Sequence, residues 1–571
     1  MTRSRAQGRL LLSLASVAVA FAAADTYVVV LALEEMMRTA QLSVSELQRA
    51  APIISGFLLG YVAMLPLIGR VADLRGRVPV LVMSLVVFSL GSLVTAFSYD
   101  LASMVVGRFL QGVGGGGLVP ATLALVADLY VAERRGVPLG IVSAVQEAGA
   151  LAGPLFGALV LAVAPWQVIF VVNLAVGVVL AVLIARVTRL TRRGGARGRS
   201  KGRSWPDPVG VLALLAALGA YAVLSLRPAA VQRDLTWGQI FIPYTGDGVW
   251  LTPIGVTVMA ATVVFLVRCW FARRPLVDLR GWARALVEAD LVGALLVAAA
   301  LGGVILAFAT ADPAVRVFSP QGPWFLLGSA VAAVLLVGHL RRARDPLVPR
   351  GALAARPAWG ALLVSFLIGS ALIAAVVTVP TFARTTVYPD HLDASLVLVR
   401  FLVALPVGAV IGGYLTRRCA AGLVTAVGMV ASAVSFVLMA RWGETSLEHA
   451  HSTLTLLLCG LGFGLALAPV NAALLASTRD EVHGIAAAFV VVARMIGMLV
   501  GISALTTIGL RRFHAAREGG AGILEAAIAQ EHAIFLGAAG CAALAAVLAL
   551  PLFRGARTRG LSPAEILRAA G

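Results

Sequence analysis

Apolar runs long enough to cross a lipid bilayer recur along the whole chain, and they limit the fold more than any other feature. A helix needs about 20 apolar residues to cross a hydrocarbon core ~30 Å thick. Hydrophobic residues make up 60% of the 571 residues and charged residues only 13%, whereas soluble domains carry about 25% charged residues. The sequence therefore predicts an all-α polytopic membrane protein.

The apolar runs predict sixteen spans, with fourteen as the smaller alternative. The first six lie at about 10–33, 51–69, 79–97, 101–127, 137–164 and 166–186. Four more lie near 208–226, 251–272, 291–311 and 324–340. The last six lie at about 357–381, 392–416, 420–441, 453–476, 484–510 and 531–553.

These spans predict a division of the chain into five parts. The first part is a six-helix bundle at 1–187, which is followed by a basic and flexible linker at 188–206. Then come two helix pairs at 207–345, a second six-helix bundle at 346–556 and a tail at 557–571. Residues 511–531 favour helix on both sides of Gly519-Gly520. They predict that the last two helices form a hairpin that projects from the membrane, with a plain exposed loop as the alternative.

The net charge of +19 indicates topology rather than a nucleic-acid partner. The basic residues cluster in alternate short loops, as the positive-inside rule requires. This pattern predicts a multi-pass membrane protein with both termini in the cytoplasm. The four cysteines have no metal-type spacing, so neither a metal nor another cofactor is expected.

The loop after the second span reads GRVADLRGRV and contains a recognisable motif. It resembles the signature between the second and third helices of the major facilitator superfamily. The family usually has a basic residue directly after the aspartate, where this chain has Leu74. The residues that carry the motif are Gly69, Asp73, Arg75, Gly76 and Arg77.

The first, fourth and fifth spans extend this resemblance to the fourteen-helix drug:proton antiporters. They carry AAADTYVVVLAL, GRFLQGVGGGG and an antiporter-type G-x-x-x-G-P-x-x-G motif. The antiporter motif consists of Gly149, Gly153, Pro154 and Gly157. Its glycines permit close helix contact, and its proline favours a bend. Four middle helices, where the family has two, depart from the pattern.

The resemblance is closest to an actinobacterial branch of that family. It rests on DTYVVV, QEAGALAGP, FLVALPVGAVIGG and HGIAAAFVVVARMIGMLVG. The resemblance implies two six-helix bundles, protons as the coupling ion, and export of lipids such as triacylglyceride or of lipophilic drugs. It also implies the bacterial inner membrane as the location and a periplasmic lipoprotein as a partner.

Two intramembrane charges of opposite sign lie at matching depths. Glu147 lies on the order of 15 Å into the fifth span, and Arg494 reaches a similar depth in the penultimate span. The halves of a facilitator are related by pseudo-symmetry, which makes these two helices counterparts. We therefore expect a central ion pair, with separate contacts to cavity water as the alternative.

Asp25 and Arg108 form a second constellation. Asp25 is about 22 Å up the first helix and Arg108 about 10 Å down the fourth, so both lie in the outer half of the membrane. An intramembrane carboxyl can carry a proton, because burial favours its neutral form and a nearby arginine its charged form. A static structural pair is the alternative. Gln111 and Arg400 are candidates for cavity lining.

The residues favour proton-coupled export of hydrophobic compounds by alternating access. Proton-independent lipid uniport or flipping remains open. A membrane-embedded lipid-modifying enzyme would need a catalytic cluster, and the isolated pairs His391 with Asp393 and His449 with His451 have no supporting motif.

Overall fold

The computed structural model describes most of the chain. The described residues are 2–42, 47–131, 134–195, 207–226, 237–244, 249–273, 275–309, 321–343, 346–349, 351–388 and 391–556, with 231, 234 and 558. Within these ranges the chain is helical and has no strand. Part of the predicted basic linker and nearly all of the predicted tail lie outside them.

The helices follow one another with short connections. The first group is α1 (Thr2–Thr39), α2 (Leu47–Arg75), α3 (Arg77–Ala96), α4 (Leu101–Leu129), α5 (Gly136–Val163) and α6 (Gln167–Gly195). The middle group is α7 (Pro208–Leu226), α8 (Pro253–Phe271), α9 (Leu279–Glu288), α10 (Leu291–Ala309) and α11 (Gly322–Arg342). The last group is α12 (Arg356–Thr386), α13 (His391–Leu415), α14 (Ala421–Met439), α15 (Ala450–Leu475), α16 (His483–Glu518) and α17 (Ile523–Leu552).

Each of the sixteen predicted spans falls on one of these helices. Among the described residues, 13 helices are long and apolar enough to cross a membrane, or up to 14 if a bent pair counts as one span. The bent pair is α9 with α10, which meet at 74°. The three predicted spans outside the 13 fall on the apolar helices α5, α7 and α10. The prediction of an all-α polytopic fold is confirmed.

Two helices extend beyond the predicted boundaries. Helix α6 continues to Gly195, where the sequence predicts a flexible linker from residue 188. Helix α16 has 36 residues and is therefore about 54 Å long, well beyond the ~30 Å of a hydrocarbon core. It ends at Glu518, and four residues separate it from α17, which begins at Ile523.

The first and last groups of six helices pack in the same pattern. In the first, α4 packs against α2 and α3, α1 against α5, and α3 against α6. In the last, α15 packs against α13 and α14, α12 against α16, and α14 against α17. The pattern matches when α1–α6 are paired in order with α12–α17. Helices α5 and α16 are therefore counterparts, as the pseudo-symmetry of a facilitator requires.

Glycines on these counterpart helices allow close backbone contacts within each group. A methyl group at Gly149 or Gly153 of α5 would overlap the carbonyl of Ala20 or Ala24 on α1. Gly497 and Gly501 of α16 meet Phe366 and Ser370 of α12 in the same way. Close backbone approach between small residues stabilises helix pairs in lipid, where no hydrophobic effect drives their association.

The two groups meet along two seams at one end of the molecule. Helix α5 packs against α13, and α2 packs against α16. On the first seam Gly136 lies against Gly413, and on the second Gly69 lies against Gly484. We refer to this end as the Asp73 end and to the opposite end, which carries the α16–α17 turn, as the Gly519 end. The molecule is closed at the Asp73 end.

The middle helices form two pairs at the periphery. Helix α7 packs against α8, and Arg268 Nη2 lies 2.6 Å from Asp207 Oδ1 where the pair begins. The hydrogen bond from Arg268 holds the pKa of the Asp207 carboxyl below its usual range. Helix α10 packs against α11 and also contacts α2 and α16. The second pair therefore covers the seam between α2 and α16.

Replacing Gly149 with valine should destabilise the first bundle. The added side chain meets the α1 backbone, and overpacking of this kind costs about 1–3 kcal/mol. Thermal unfolding of the detergent-purified protein measures the effect as a lower midpoint. Gly540→Val is the matched control, because nothing lies within 4 Å of a Cβ at that exposed position. Equal midpoints for the two variants would contradict the importance of this contact.

Candidate transport pathway and its ion pairs

A buried polar network surrounds Asp25 on α1. Arg108 Nη1 of α4 donates a 2.6 Å hydrogen bond to Asp25 Oδ2, and both side chains are almost fully buried. Asn173 of α6 donates to Asp25 Oδ1, and Gln111 Nε2 lies 3.4 Å from the same oxygen. Two other helices of the same bundle, α4 and α6, therefore supply partners to this carboxylate, which satisfies the charge in an apolar interior.

Aromatic rings hold Arg108 in place. Its guanidinium carbon lies 4.4 Å from the ring centre of Phe57 and 5.8 Å from that of Phe170. Cation–π contacts in desolvated sites contribute about 2 kcal/mol. The Nε atom of Arg108 is buried and has no hydrogen-bond partner. The Nη1 atom of Arg108 thus donates hydrogen bonds to Asp25 and Gln111, whereas its Nε atom has no partner.

The network borders a cavity between the two bundles. The cavity has a volume of about 190 Å³, and its walls come from α2, α4, α12 and α16. Arg108 is the charged residue in a lining that is otherwise apolar and includes Phe57, Met495 and Met498. We call this space the central cavity. Its chemistry suits a hydrophobic occupant next to a buried carboxylate.

A second ion pair joins the bundles. Arg494 Nη1 on α16 lies 3.6 Å from Glu147 Oε1 on α5, and both side chains are only about a tenth exposed, at 11% and 12%. Arg494 directly precedes the α16 residues that line the central cavity. The pair therefore lies on the Asp73 side of that cavity. Next to it is a space of about 10 Å³, the size of one water site.

Asp73 closes the seam between α2 and α16. Its carboxylate accepts hydrogen bonds from the amides of Gly484 and Ile485, at 2.9 and 3.1 Å. These amides are at the start of α16, where the helix dipole favours a negative charge. Arg77 Nη2 lies 3.1 Å from Asp73 Oδ1 and donates to the carbonyl of Asp480. Asp73 and Arg77 thus connect the first bundle to the start of α16, and we call this set of contacts the latch.

The other residues of this motif have separate tasks. Gly76 has φ +90, a conformation that glycine adopts without strain. Gly69 permits the close approach of Gly484, since a Cβ there would lie 2.7 Å from the Gly484 carbonyl oxygen. Arg75 turns away from the latch toward α9, where its guanidinium lies 5.1 Å from the Trp282 ring centre. Leu74, at the family's basic position, is exposed.

Two of the candidate cavity residues lie elsewhere. Gln111 is fully buried behind Arg108, where it also donates to Ser92 Oγ at 2.9 Å. Arg400 of α13 is half-buried and donates to Thr453 of α15 at 2.9 Å. Neither belongs to the lining of the central cavity. Pro154 lies within the continuous helix α5, and Gly157 is buried there.

Sequence reasoning missed three contributors to the Asp25 network. Asn173 reads as a helix-packing polar residue, whereas the structure places its amide against Asp25. Ser92 and Phe57 carry no signal of their own, because serine and phenylalanine are common in apolar spans. The depth of Asn173 in its helix could have indicated that it lies level with Asp25. Depth alone could not have indicated Ser92 and Phe57, because they face the network only through the rotation of α3 and α2 about their axes.

Comparison with known proteins agrees with this architecture. Residues 15–340 match the model of the Major Facilitator Superfamily. The triacylglyceride transporter of Mycolicibacterium hassiacum is 34% identical over 514 residues, which cover 88% of this chain and 79% of that protein. The triacylglyceride transporter of Mycobacterium tuberculosis is 32% identical over 524 residues, with coverage of 89% and 84%.

Solved structures share the fold at low identity. The human organic anion transporter TETRAN has a TM-score of 0.56 at 12% identity, and the match covers 95% of this chain and 99% of that chain. The proton:xylose symporter XylE has a TM-score of 0.55 at 13% identity, with 99% of both chains covered. The fold and these matches define a multi-pass membrane transporter, not an enzyme. The chain belongs to the major facilitator superfamily, which confirms the resemblance seen in the sequence.

A double-mutant cycle tests the pair between the bundles. Removing either Glu147 or Arg494 leaves the other charge buried, which costs about 3–5 kcal/mol in typical sites, whereas removing both leaves none. We therefore expect Glu147→Ala and Arg494→Ala to be non-additive, with a coupling energy of about 0.5–3 kcal/mol. The measurement is reversible chemical unfolding of the purified protein, repeated with transport rates. Additive effects in both measurements would mean that the two charges act separately.

Proposed function

We propose that the protein exports hydrophobic compounds, in particular lipids of the triacylglyceride class, by proton-coupled alternating access. The observation that carries the proposal is the central cavity, in which apolar walls and the Asp25–Arg108 pair adjoin. A predominantly apolar wall suits an apolar cargo, and coupling requires an ionisable group beside it. Relatives named triacylglyceride transporters support the choice of lipid.

We propose that the Asp73 end faces the cytoplasm of a bacterial inner membrane, as do both termini. The basic loops at this end support that orientation through the positive-inside rule. Because the latch and the Gly136–Gly413 contact close the Asp73 end, we propose that the described state is the outward-facing state of the transport cycle. Opening inward requires the latch and the Glu147–Arg494 pair to separate.

Protonation supplies the bias between the two states. A proton on Asp25 removes the negative charge that holds Arg108, so the guanidinium interacts more strongly with the cavity or with Phe57. The network around Asp25 lies within one bundle, while the Glu147–Arg494 pair joins both. A change in the first can therefore alter the relative stability of the inward and outward states through the shared cavity.

Replacing Asp25 with asparagine should abolish coupling and leave passive movement of lipid intact. Asparagine keeps the size of the side chain and loses the proton site. The measurement is movement of a fluorescent triacylglyceride in proteoliposomes, with and without a pH gradient. The variant should respond to neither direction of the gradient, while its gradient-independent rate shows that it is folded.

Asp207→Asn is the matched control for this experiment. Asp207 also pairs with an arginine at 2.6 Å, but it lies in the peripheral pair α7–α8, and its variant should remain gradient-dependent. An Asp25→Asn protein that still follows the pH gradient would refute Asp25 as the carrier. A wild-type protein that moves lipid regardless of the gradient would instead favour uniport or flipping.

The α16–α17 hairpin is the proposed contact for a periplasmic lipid-carrying lipoprotein. Its tip is exposed and carries Arg511, Arg512 and Arg517, and α16 is long enough to leave the membrane. Replacing these three arginines with serine should weaken binding of the lipoprotein to nanodisc-embedded transporter in a salt-dependent pull-down. Arg417 and Arg418, exposed at the other end, provide the control substitutions. Equal binding by both sets of variants would count against the hairpin as the docking element.

A further inference from the structure

An apolar groove lies outside the central cavity, between the first bundle and the α10–α11 pair. Its volume is about 500 Å³, and its walls come from α2, α4, α10 and α11. Three glycines, Gly302, Gly303 and Gly328, belong to the lining. A Cβ at Gly328 would meet nothing within 4 Å. Missing side chains therefore create part of this groove.

The groove and the central cavity lie on either side of the same two helices. On α2, Leu58 lines the central cavity and Leu59 lines the groove. On α4, Arg108 lines the central cavity and Phe109 lines the groove. Since neighbouring helix residues point about 100° apart, only the thickness of one helix layer separates the two spaces.

The lining of the groove is almost entirely apolar. Ser329 supplies the hydroxyl in the groove, and this hydroxyl donates a 2.5 Å hydrogen bond to the Ala300 carbonyl. The remaining lining residues are hydrophobic or glycine. The groove lies along membrane-spanning helices, where an unfilled apolar space is filled by hydrocarbon rather than by water. Its occupant is therefore an acyl chain.

The relative sizes of the two spaces bear on the source of this chain. The groove, at about 500 Å³, is more than twice as large as the central cavity, at about 190 Å³. The larger apolar space therefore lies outside the central cavity, and a lipid with several chains has room for one of them there.

The α10–α11 pair is fixed at the Asp73 end. Asp290 precedes α10 in a left-handed conformation, with φ 64. It accepts hydrogen bonds from the amides of Gly293 and Leu347, both at 2.9 Å. His339 Nε2 on α11 lies 2.7 Å from the same carboxylate. The pair is thus tied to the start of the second bundle, and the groove lies farther along it, toward the Gly519 end.

We infer that the α10–α11 pair forms, with α2 and α4, a lateral binding site for one acyl chain of the transported lipid, next to the central cavity. The inference rests on the proposed function for the identity of the lipid. The α10–α11 pair covers the α2–α16 seam, so a chain held there lies beside the place where the bundles separate. The groove holds a chain outside the central cavity while the rest of the lipid enters or leaves it.

Filling the groove tests the inference. Gly328→Leu places a side chain in open space within the groove, and leucine favours helix more than glycine, so folding is preserved. Gly338→Leu is the matched control: it lies on the same helix, has nothing within 4 Å of its Cβ, and is not part of the lining. Both proteins are reconstituted in nanodiscs with a photoreactive triacylglyceride analogue, and the labelled peptides are identified by mass spectrometry.

We expect labelling of the α10 and α11 peptides in the wild-type protein and in Gly338→Leu, with a several-fold loss in Gly328→Leu. Unlabelled triacylglyceride should compete with the label, and phospholipid should not. Equal labelling of the two variants would overturn the inference. Equal competition by phospholipid would also overturn it, because it would mean that the groove holds bulk lipid.

Transport measured on the same proteins separates this inference from the proposed function. Slower triacylglyceride movement by Gly328→Leu than by Gly338→Leu supports the groove as part of the route. Normal movement by Gly328→Leu overturns that role while the proposed function stands. If the wild-type protein moves no triacylglyceride, the proposed function fails, and specific labelling that is lost in Gly328→Leu would still support the binding site.

Discussion

The ion pair between Glu147 and Arg494 determines how the two bundles can sit against each other. An unpaired charge within a hydrocarbon layer costs several kcal/mol, so each of these side chains needs the other in the closed state. They come from counterpart helices, and they lie 3.6 Å apart on the Asp73 side of the central cavity. Any movement that opens this side must replace the contact with water or with another partner. The pair therefore sets an energetic threshold for opening.

The second pair works under a different constraint. Asp25 and Arg108 belong to one bundle, and their helices, α1 and α4, pack against each other. In the proposed mechanism, their contact responds to a proton without any separation of the bundles. Arg108 also lines the central cavity, which is adjacent to Arg494. A protein with one pair inside a bundle and one between bundles can separate the step that senses a proton from the step that changes access.

Much of this arrangement could be read from the sequence. The sixteen apolar runs predicted the sixteen helices on which they fall, because hydropathy over about 20 residues is a strong signal in membrane proteins. Counting residues along counterpart helices placed Glu147 opposite Arg494, since depth follows from helical rise alone. Rotation about each helix axis was harder to predict. It is set by packing, which is why Asn173, Ser92 and Phe57 were not assigned to Asp25 and why Gln111 was expected closer to the cavity than it lies.

Features that depend on contacts between distant segments of the chain could not be predicted from the sequence. The 74° bend between α9 and α10 arises at Asp290, whose carboxylate binds Leu347 from a loop 57 residues away. The bend positions the α10–α11 pair over only one of the two seams, the one between α2 and α16. The seam between α5 and α13 has no such cover among the described helices. The two bundles are thus related by symmetry, but their surroundings are not. A lipid that moves sideways between the membrane and the cavity therefore meets two different seams, and the groove beside the α10–α11 pair is the proposed binding surface at one of them.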